Sequence, residues 1–257
     1  MMLVADIGNT SINIGVYAGD NLTANWNIAS SIQRLPDEYA ALLLELMGHR
    51  GLAVSDIKEV AVCSVVPTLT QPFVELSTRY FKAEALVVAA GIKTGVRIRM
   101  DNPKEVGADR IANAAAAHQL YRRAVIVVDM GTATTFDVIS GDGDYLGGAI
   151  APGIATAAES MFYKTAMLPR IELSQARKAI GTDTISAMQS GLLFGYVGLV
   201  EGLVGRIEAE MSEKPLVVAT GGYARLMAAH TSVIDEINPE LTLNGIRLIY
   251  LMNRTVK

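Results

Sequence analysis

Two stretches of this chain begin alike, and that repetition limits the folds open to it more than any other feature. Near the start, the apolar run Leu3 to Ile7 carries Asp6. It leads through the turn Gly8-Asn9-Thr10 into the strand-like Ser11 to Tyr17, then through Ala18-Gly19-Asp20 into Asn21 to Ile28. Past the midpoint, Ala124 to Asp129 leads through Met130-Gly131-Thr132 into Ala133 to Ser140, then through Gly141-Asp142-Gly143-Asp144 into Tyr145 to Ile150. Laying Asp6 on Asp129 puts Gly8 on Gly131 and Thr10 within one position of Thr132. Turns this short join antiparallel hairpins rather than parallel crossovers, so the pattern reads as a duplicated unit whose sheet opens on hairpins.

Helical and buried-strand patterns follow each series. Pro36 to Met47 has apolar residues at helical spacing, Val60 to Val66 reads as a buried strand, a helix follows Pro67, and Ala85 to Ala89 reads as another strand. Between the halves a helix is expected to start at Asn102, with Asn102 as cap, Pro103 in the first helical position and Glu105 completing a capping-box-like pattern. The second half continues with helices from Ala155 to Met167 and from Asp183, the strand Leu216 to Ala219, and a helix after Gly221-Gly222. The fold class is therefore α/β, two duplicated domains of mixed sheet with flanking helices, spanning 1–117 and 118–257.

Composition narrows the function classes. A chain of 257 residues, 51% hydrophobic and 19% charged, buries a core without staples and is neither disordered, collagen-like nor coiled-coil. Its 26 acids against 22 bases leave no overall basic field for nucleic acid or an anionic membrane, so neither is expected as a partner. The single cysteine, Cys63, allows no internal disulfide and fits a reducing compartment, and Met1 to Asp6 lacks a basic leader, so a cytoplasmic location is expected. Ile185 to Val200 lacks charge, but Gln189 within it and Glu201 after it make a packed helix the better reading than a membrane span. Gly191, Gly195, Gly198, Gly202 and Gly205 fall on one face of that helix. They are expected to pack against a second copy or within their own domain.

The turn in Asp6-Ile7-Gly8-Asn9-Thr10 can aim backbone N–H groups and a hydroxyl at phosphate oxygens, although an ordinary β-turn uses the same residues. Its pairing with Asp129-Met130-Gly131-Thr132 favours the phosphate reading. Two aspartates close to phosphates repel them unless cations bridge carboxylate and phosphate, so the design implies a metal. Thr220-Gly221-Gly222-Tyr223 lets a flat ligand approach the backbone, or simply starts a helix. Neither G-x-x-x-x-G-K-[ST] nor G-x-G-x-x-G occurs. His49, His118 and His230 have no metal-ligand spacing, and Cys63 in an apolar strand reads as packing.

The acid-led hairpins and the Gly-Gly turn resemble the phosphate and adenosine motifs of the actin-like, sugar-kinase ATPase superfamily, whose domains are ribonuclease H-like. More narrowly, the chain resembles the type III pantothenate kinase family. That resemblance rests on Asp6 to Thr10, Asp101 to Arg110, Asp129 to Asp137, Gly147 to Gly153, Ala187 to Gly191, Ala219 to Gly222 and Leu241 to Leu243, and covers nearly the whole chain. It implies ATP-dependent phosphorylation of pantothenate to 4'-phosphopantothenate, the first step of coenzyme A biosynthesis. A homodimer, a monovalent cation (K+ or NH4+) and Mg2+ with ATP are implied with it. By the same resemblance Asp6, Ile7, Gly8, Asn9, Thr10, Ser11, Ile12 and Asn13 hold the ATP phosphates with Thr132, and Asp129 coordinates the monovalent cation. Asp6 is the first candidate for magnesium.

Gly107-Ala108-Asp109-Arg110 match a family motif that makes Asp109 the general base and gives Arg110 to substrate oxygens. Thr184 matches a threonine that reaches the substrate across the dimer interface. Met100 stands where the family usually has a tyrosine near pantothenate, and methionine donates no hydroxyl hydrogen bond. Two alternatives stay open on these residues: a kinase for another small hydroxyl compound, and a nucleotide-binding regulatory factor.

Overall fold

The computed structural model describes residues 1–174, 176 and 178–254. The chain divides into two compact units, one of Met1–Val96, Asp101–Ala116 and Leu241–Lys257, the other of Arg97–Met100 and Ala117–Glu240.

The first unit is built on strands β1 (Met2–Ile7), β2 (Ser11–Ala18), β3 (Asn21–Ala29), β4 (Glu59–Ser64) and β5 (Ala85–Val87), ordered β3-β2-β1-β4-β5. β1 runs antiparallel to β2 and parallel to β4, as tight turns and helical crossovers respectively require. Helices α1 (Pro36–His49) and α2 (Pro67–Leu76) supply Tyr39, Leu43, Met47, Leu69 and Phe73, which pack with Ile7, Ile12 and Ile14 in one core. Pro36 and Pro67 each open their helix, where a missing N–H costs nothing.

The expected helix from Asn102 is instead two pieces. A 3-10 turn covers Pro103–Glu105, the chain extends at Val106, and α3 runs Ala108–Tyr121. The side chain of Asn102 donates to the Glu105 carboxylate at 2.6 Å and caps no backbone group, so the local pattern closes on itself without starting a long helix. The terminal helix α7 (Leu241–Asn253) packs on β1, β2 and β4 and so belongs to the first unit.

The second unit repeats the sheet. Strands β6 (Arg97–Ile98), β7 (Val125–Met130), β8 (Ala133–Ile139), β9 (Asp144–Pro152), β10 (Leu216–Thr220) and β11 (Glu236–Ile237) are ordered β11-β10-β7-β8-β9-β6. Removing β6 leaves the order of the first sheet, with the same antiparallel β7–β8 and parallel β7–β10 pairing. β6 joins the β9 edge, and Arg97 and Arg99 both donate to Asp144, at 2.6 and 3.2 Å, which holds the Asp144 carboxyl below its ordinary range. A single cut between residues 117 and 118 differs from this division at β6, at α7 and at Ala117, because β6 pairs forward and α7 packs back.

Helices α4 (Ile154–Lys164), α5 (Thr184–Glu210) and α6 (Ala224–Ala228) complete the unit. Leu193, Tyr196, Val197, Val200 and Val204 of α5 pack with Ile126, Val128 and Phe136 in the second core. Among the described residues, α5 alone is long and apolar enough to cross a membrane, and this face of it is committed to the core. The opposite face carries the glycine stripe. A Cβ on Gly191, Gly195, Gly198, Gly202 or Gly205 would meet open space, so among the described residues nothing in the chain's own domain packs on that stripe.

Candidate active site

In the first unit, β1 is buried at every residue but Asp6, which is half-buried one position from the strand end. Residues facing each other across paired strands share a sheet face, so Asp6 stands between Asn13 of β2 and Cys63 of β4. The turn beyond it closes with Gly8 N–H donating to the Ser11 carbonyl at 3.0 Å. Ser30, at the end of β3, pins the turn from outside, its N–H donating to the Thr10 carbonyl at 3.0 Å and its hydroxyl to the Gly8 carbonyl at 2.6 Å. Asn9 and Thr10 are left exposed at the tip. Ile7 and Ile12 bury their side chains completely, so they can offer a phosphate only main-chain groups.

Asp109 lies in the first turn of α3, half-buried, with Oδ1 accepting the Arg110 N–H at 2.8 Å. Its Oδ1 lies 2.5 Å from where a Cβ on Gly107 would stand, so the glycine makes room for that rotamer. Asp109 and Asp6 converge on Cys63. The thiol is pushed well above its ordinary pKa, first by complete burial, then by the Asp6 charge, then by the Asp109 charge, and it remains an uncharged S–H. Sequence alone reads Cys63 as packing and does not connect it to either carboxylate. Ser30 carries no motif that would have singled it out.

In the second unit Asp129 has the place of Asp6, half-buried at the end of an otherwise buried strand, here between Thr135 of β8 and Thr220 of β10. Gly131 N–H donates to the Ala133 carbonyl at 3.0 Å. The Thr132 carbonyl accepts from Gly153 N–H at 3.0 Å and from the Thr156 hydroxyl at 2.7 Å. The Gly-Gly turn closes the other side. Gly221 has φ +87°, and a Cβ there would stand 2.7 Å from Asp129 Oδ1 and from the Met130 backbone, so only glycine brings this turn against the strand end. Tyr223 N–H donates to Met130 at 3.4 Å, and its side chain helps line a cavity of about 250 Å³ with Ala155, Ala158, Arg170 and Ile171. Met100 lies in this unit too, its sulfur 3.0 Å from the Cβ position of Gly147.

Thr184 is exposed at the first helical position of α5. Asp183 caps that helix by accepting Ser186 N–H at 2.9 Å, and this bond with the Ser186 hydroxyl keeps its carboxyl below the ordinary range. Of the expected site residues, the first unit thus holds the turn from Asp6 to Asn13 and Gly107 to Arg110. The second holds Met100, Asp129, Thr132 and Thr184.

Among the described residues no three His, Cys, Asp or Glu side chains cluster as a metal cage. The single half-buried carboxylate of Asp6 beside an exposed turn suits Mg2+, which keeps several waters and is bound through one or two carboxylates plus substrate phosphates.

A duplicated mixed sheet with an acid-led turn at the equivalent strand end of each copy defines the class: a protein of the actin-like fold. A protein of Sinorhizobium meliloti assigned as a 2-dehydro-3-deoxygalactonokinase shares that fold at TM-score 0.61 and 12% identity, over 97% of this chain and 98% of its own. A conserved Baf family protein of Campylobacter jejuni does so at TM-score 0.61 and 19% identity, over 98% of each chain. The model of the type III pantothenate kinase family matches residues 2–206. Type III pantothenate kinases of Dehalococcoides mccartyi and Moorella thermoacetica are 58% and 48% identical over 98% of this chain, and over 96% and 100% of their own lengths. The chain belongs to the type III pantothenate kinase family.

Proposed function

We propose that this chain's phosphoryl transfer from ATP to pantothenate, the reaction its family performs at the first step of coenzyme A biosynthesis, runs with Asp109 as general base. In that reading Asp109 accepts the proton of the pantothenate primary hydroxyl as its oxygen bonds to the γ-phosphorus and the bond to ADP breaks. The turn from Asp6 to Asn13 presents backbone N–H groups and the Thr10 and Ser11 hydroxyls to the phosphates, with Thr132 contributing from the second turn. Mg2+ arriving with ATP, with Asp6 as its candidate protein ligand, neutralises phosphate charge. Asp129 is the proposed carboxylate for K+ or NH4+, and Thr135 and Thr220 beside it add oxygen donors suited to such an ion. Met100, Gly107, Ala108, Arg110 and Thr184 are assigned to pantothenate, Arg110 through its planar fork.

The observation that carries the base assignment is the seat of the Gly107-Ala108-Asp109 turn against the strand end that holds Asp6: the Cβ position of Gly107 lies 3.7 Å from Val65, whose N–H donates to the Ile7 carbonyl, and a base must stand near the phosphates it serves. We also infer a homodimer through the open glycine face of α5, with the second copy's Thr184 completing the substrate site, and a cytoplasmic setting. The two domains of the reading are taken as one per sheet, with β6 in the second and α7 in the first.

The base is tested by Asp109→Asn, which keeps size and removes basicity. In an ADP-release assay with pantothenate, Mg2+ and K+, kcat should fall by roughly 10²–10⁴-fold while nucleotide still binds. An unchanged kcat removes Asp109 from the role.

A further inference from the structure

We propose that the terminal helix α7 sets the position of Asp109, through a seat on α3 made by Gly245, Thr242 and Asn113. This rests on Asp109 acting as the base. Asp109, Ala112, Asn113 and Ala116 lie three and four residues apart and therefore form one stripe along α3. α7 meets that stripe one turn beyond Asp109. A Cβ on Gly245 would fall inside the Ala112 carbonyl, so backbone touches backbone there. Beside it the Thr242 hydroxyl donates to Asn113 Oδ1 at 2.7 Å, with Asn113 fully buried and Thr242 8% exposed.

The same helix grips β2, the strand that leaves the Asp6 turn, at its far end and at the turn into β3. Asn244 accepts from the Tyr17 hydroxyl at 3.2 Å, and Arg247 donates to Asp20 at 2.8 Å and to the Gly19 carbonyl at 3.4 Å while lying 5.4 Å over the Tyr17 ring. α7 is thus fixed to the far end of β2 and the β2–β3 turn on one side and to α3 on the other. β2 begins at the proposed phosphate turn, and α3 carries the proposed base. A buried hydrogen bond fixes direction as well as distance, and a backbone seat without side chains leaves no slack for α3 to rotate. A rotation of α3 would swing Asp109 away from the hydroxyl it must deprotonate without disturbing the Asp6 turn. Gly245, Thr242 and Asn113 are therefore positioning residues, and none of them touches substrate in this reading.

The test uses the whole chain and Thr242→Val, which keeps shape and removes the hydroxyl, alongside Thr242→Ser, Gly245→Ala and Asp109→Asn. Circular dichroism confirms folding, and ATP titration gives the number of binding-competent chains, by which kcat is normalised. The expected result is a kcat lower by about tenfold in Thr242→Val, from a displaced base, with KM for ATP within about twofold of the parent. Thr242→Ser should stay near the parent, and Gly245→Ala, where it folds, should lose more. A parental kcat in Thr242→Val, a KM for ATP rising in step with the loss of kcat, or no rescue by serine overturns the inference. If Asp109→Asn is inactive while Thr242→Val is normal, only this inference fails. If Asp109→Asn runs at full rate, the base assignment fails and takes this inference with it.

Discussion

The two acid-led turns sit at matching strand ends and differ in what surrounds them. β1 and β7 have the same burial along their length, each leaving one half-buried carboxylate, Asp6 or Asp129. Between the last paired residues the first turn contains Gly8, Asn9, Thr10 and Ser11, the second only Gly131, Thr132 and Ala133. The longer turn projects Asn9 and Thr10 into solvent and is held from outside by Ser30. The shorter also exposes Thr132 but is held more closely: Gly153 and Thr156 bind the Thr132 carbonyl, and Gly221 lies against Asp129. Asp6 has an amide and a thiol for cross-strand neighbours, Asp129 two threonine hydroxyls. A longer exposed loop suits an incoming polyphosphate, whereas a carboxylate flanked across its strands by two threonines suits an ion that sheds water more readily than magnesium. Duplication supplied the sheet, and the residues around each strand end set the chemistry.

The sharpest way to break this contrast is to exchange the charges one at a time. Asp129→Asn should lower kcat by about 10²-fold and flatten its dependence on KCl. Asp6→Asn should leave the KCl dependence and raise the Mg2+ concentration needed for half-maximal rate. Identical responses in the two variants would end the division of roles. A smaller effect should come from the glycines. Gly221→Ala forces a side chain into a left-handed backbone against Asp129, and thermal unfolding should show a loss of about 1–3 kcal/mol together with weaker K+ activation. The matching Gly8→Ala meets only the Ser11 carbonyl at 3.0 Å, and its loss should be the lesser of the two. The smallest change in rate, severalfold, is expected from Gly198→Leu in α5, where light scattering should show a lower mass. An unchanged dimer would place the interface elsewhere.

Much of this was legible in the chain. Alternation and short turns gave both hairpin series, and the proline-led helices α1 and α2 were visible at their first residues, because those signals are local. The helix expected from Asn102 failed for an equally local reason. Asn102 spends its side-chain amide on Glu105, and the chain extends at Val106 before α3 begins. The glycine spacing showed that α5 has a bare face, but not that the face would be left open. Nothing near Leu241 in sequence announces that it returns to the first unit.

The repeated order of apolar runs, acids and glycine turns fixed by itself that the molecule would have two like sheets, each with a carboxylate at one strand end, since strand alternation and turn chemistry act over a few residues. Only the tertiary structure brought Asp6 and Asp109 both within electrostatic reach of Cys63, seated Gly245 on Ala112 and closed Gly221 over Asp129. Those contacts join residues far apart in the chain. Their cost and gain depend on the packing of buried surfaces, which no window of local sequence contains.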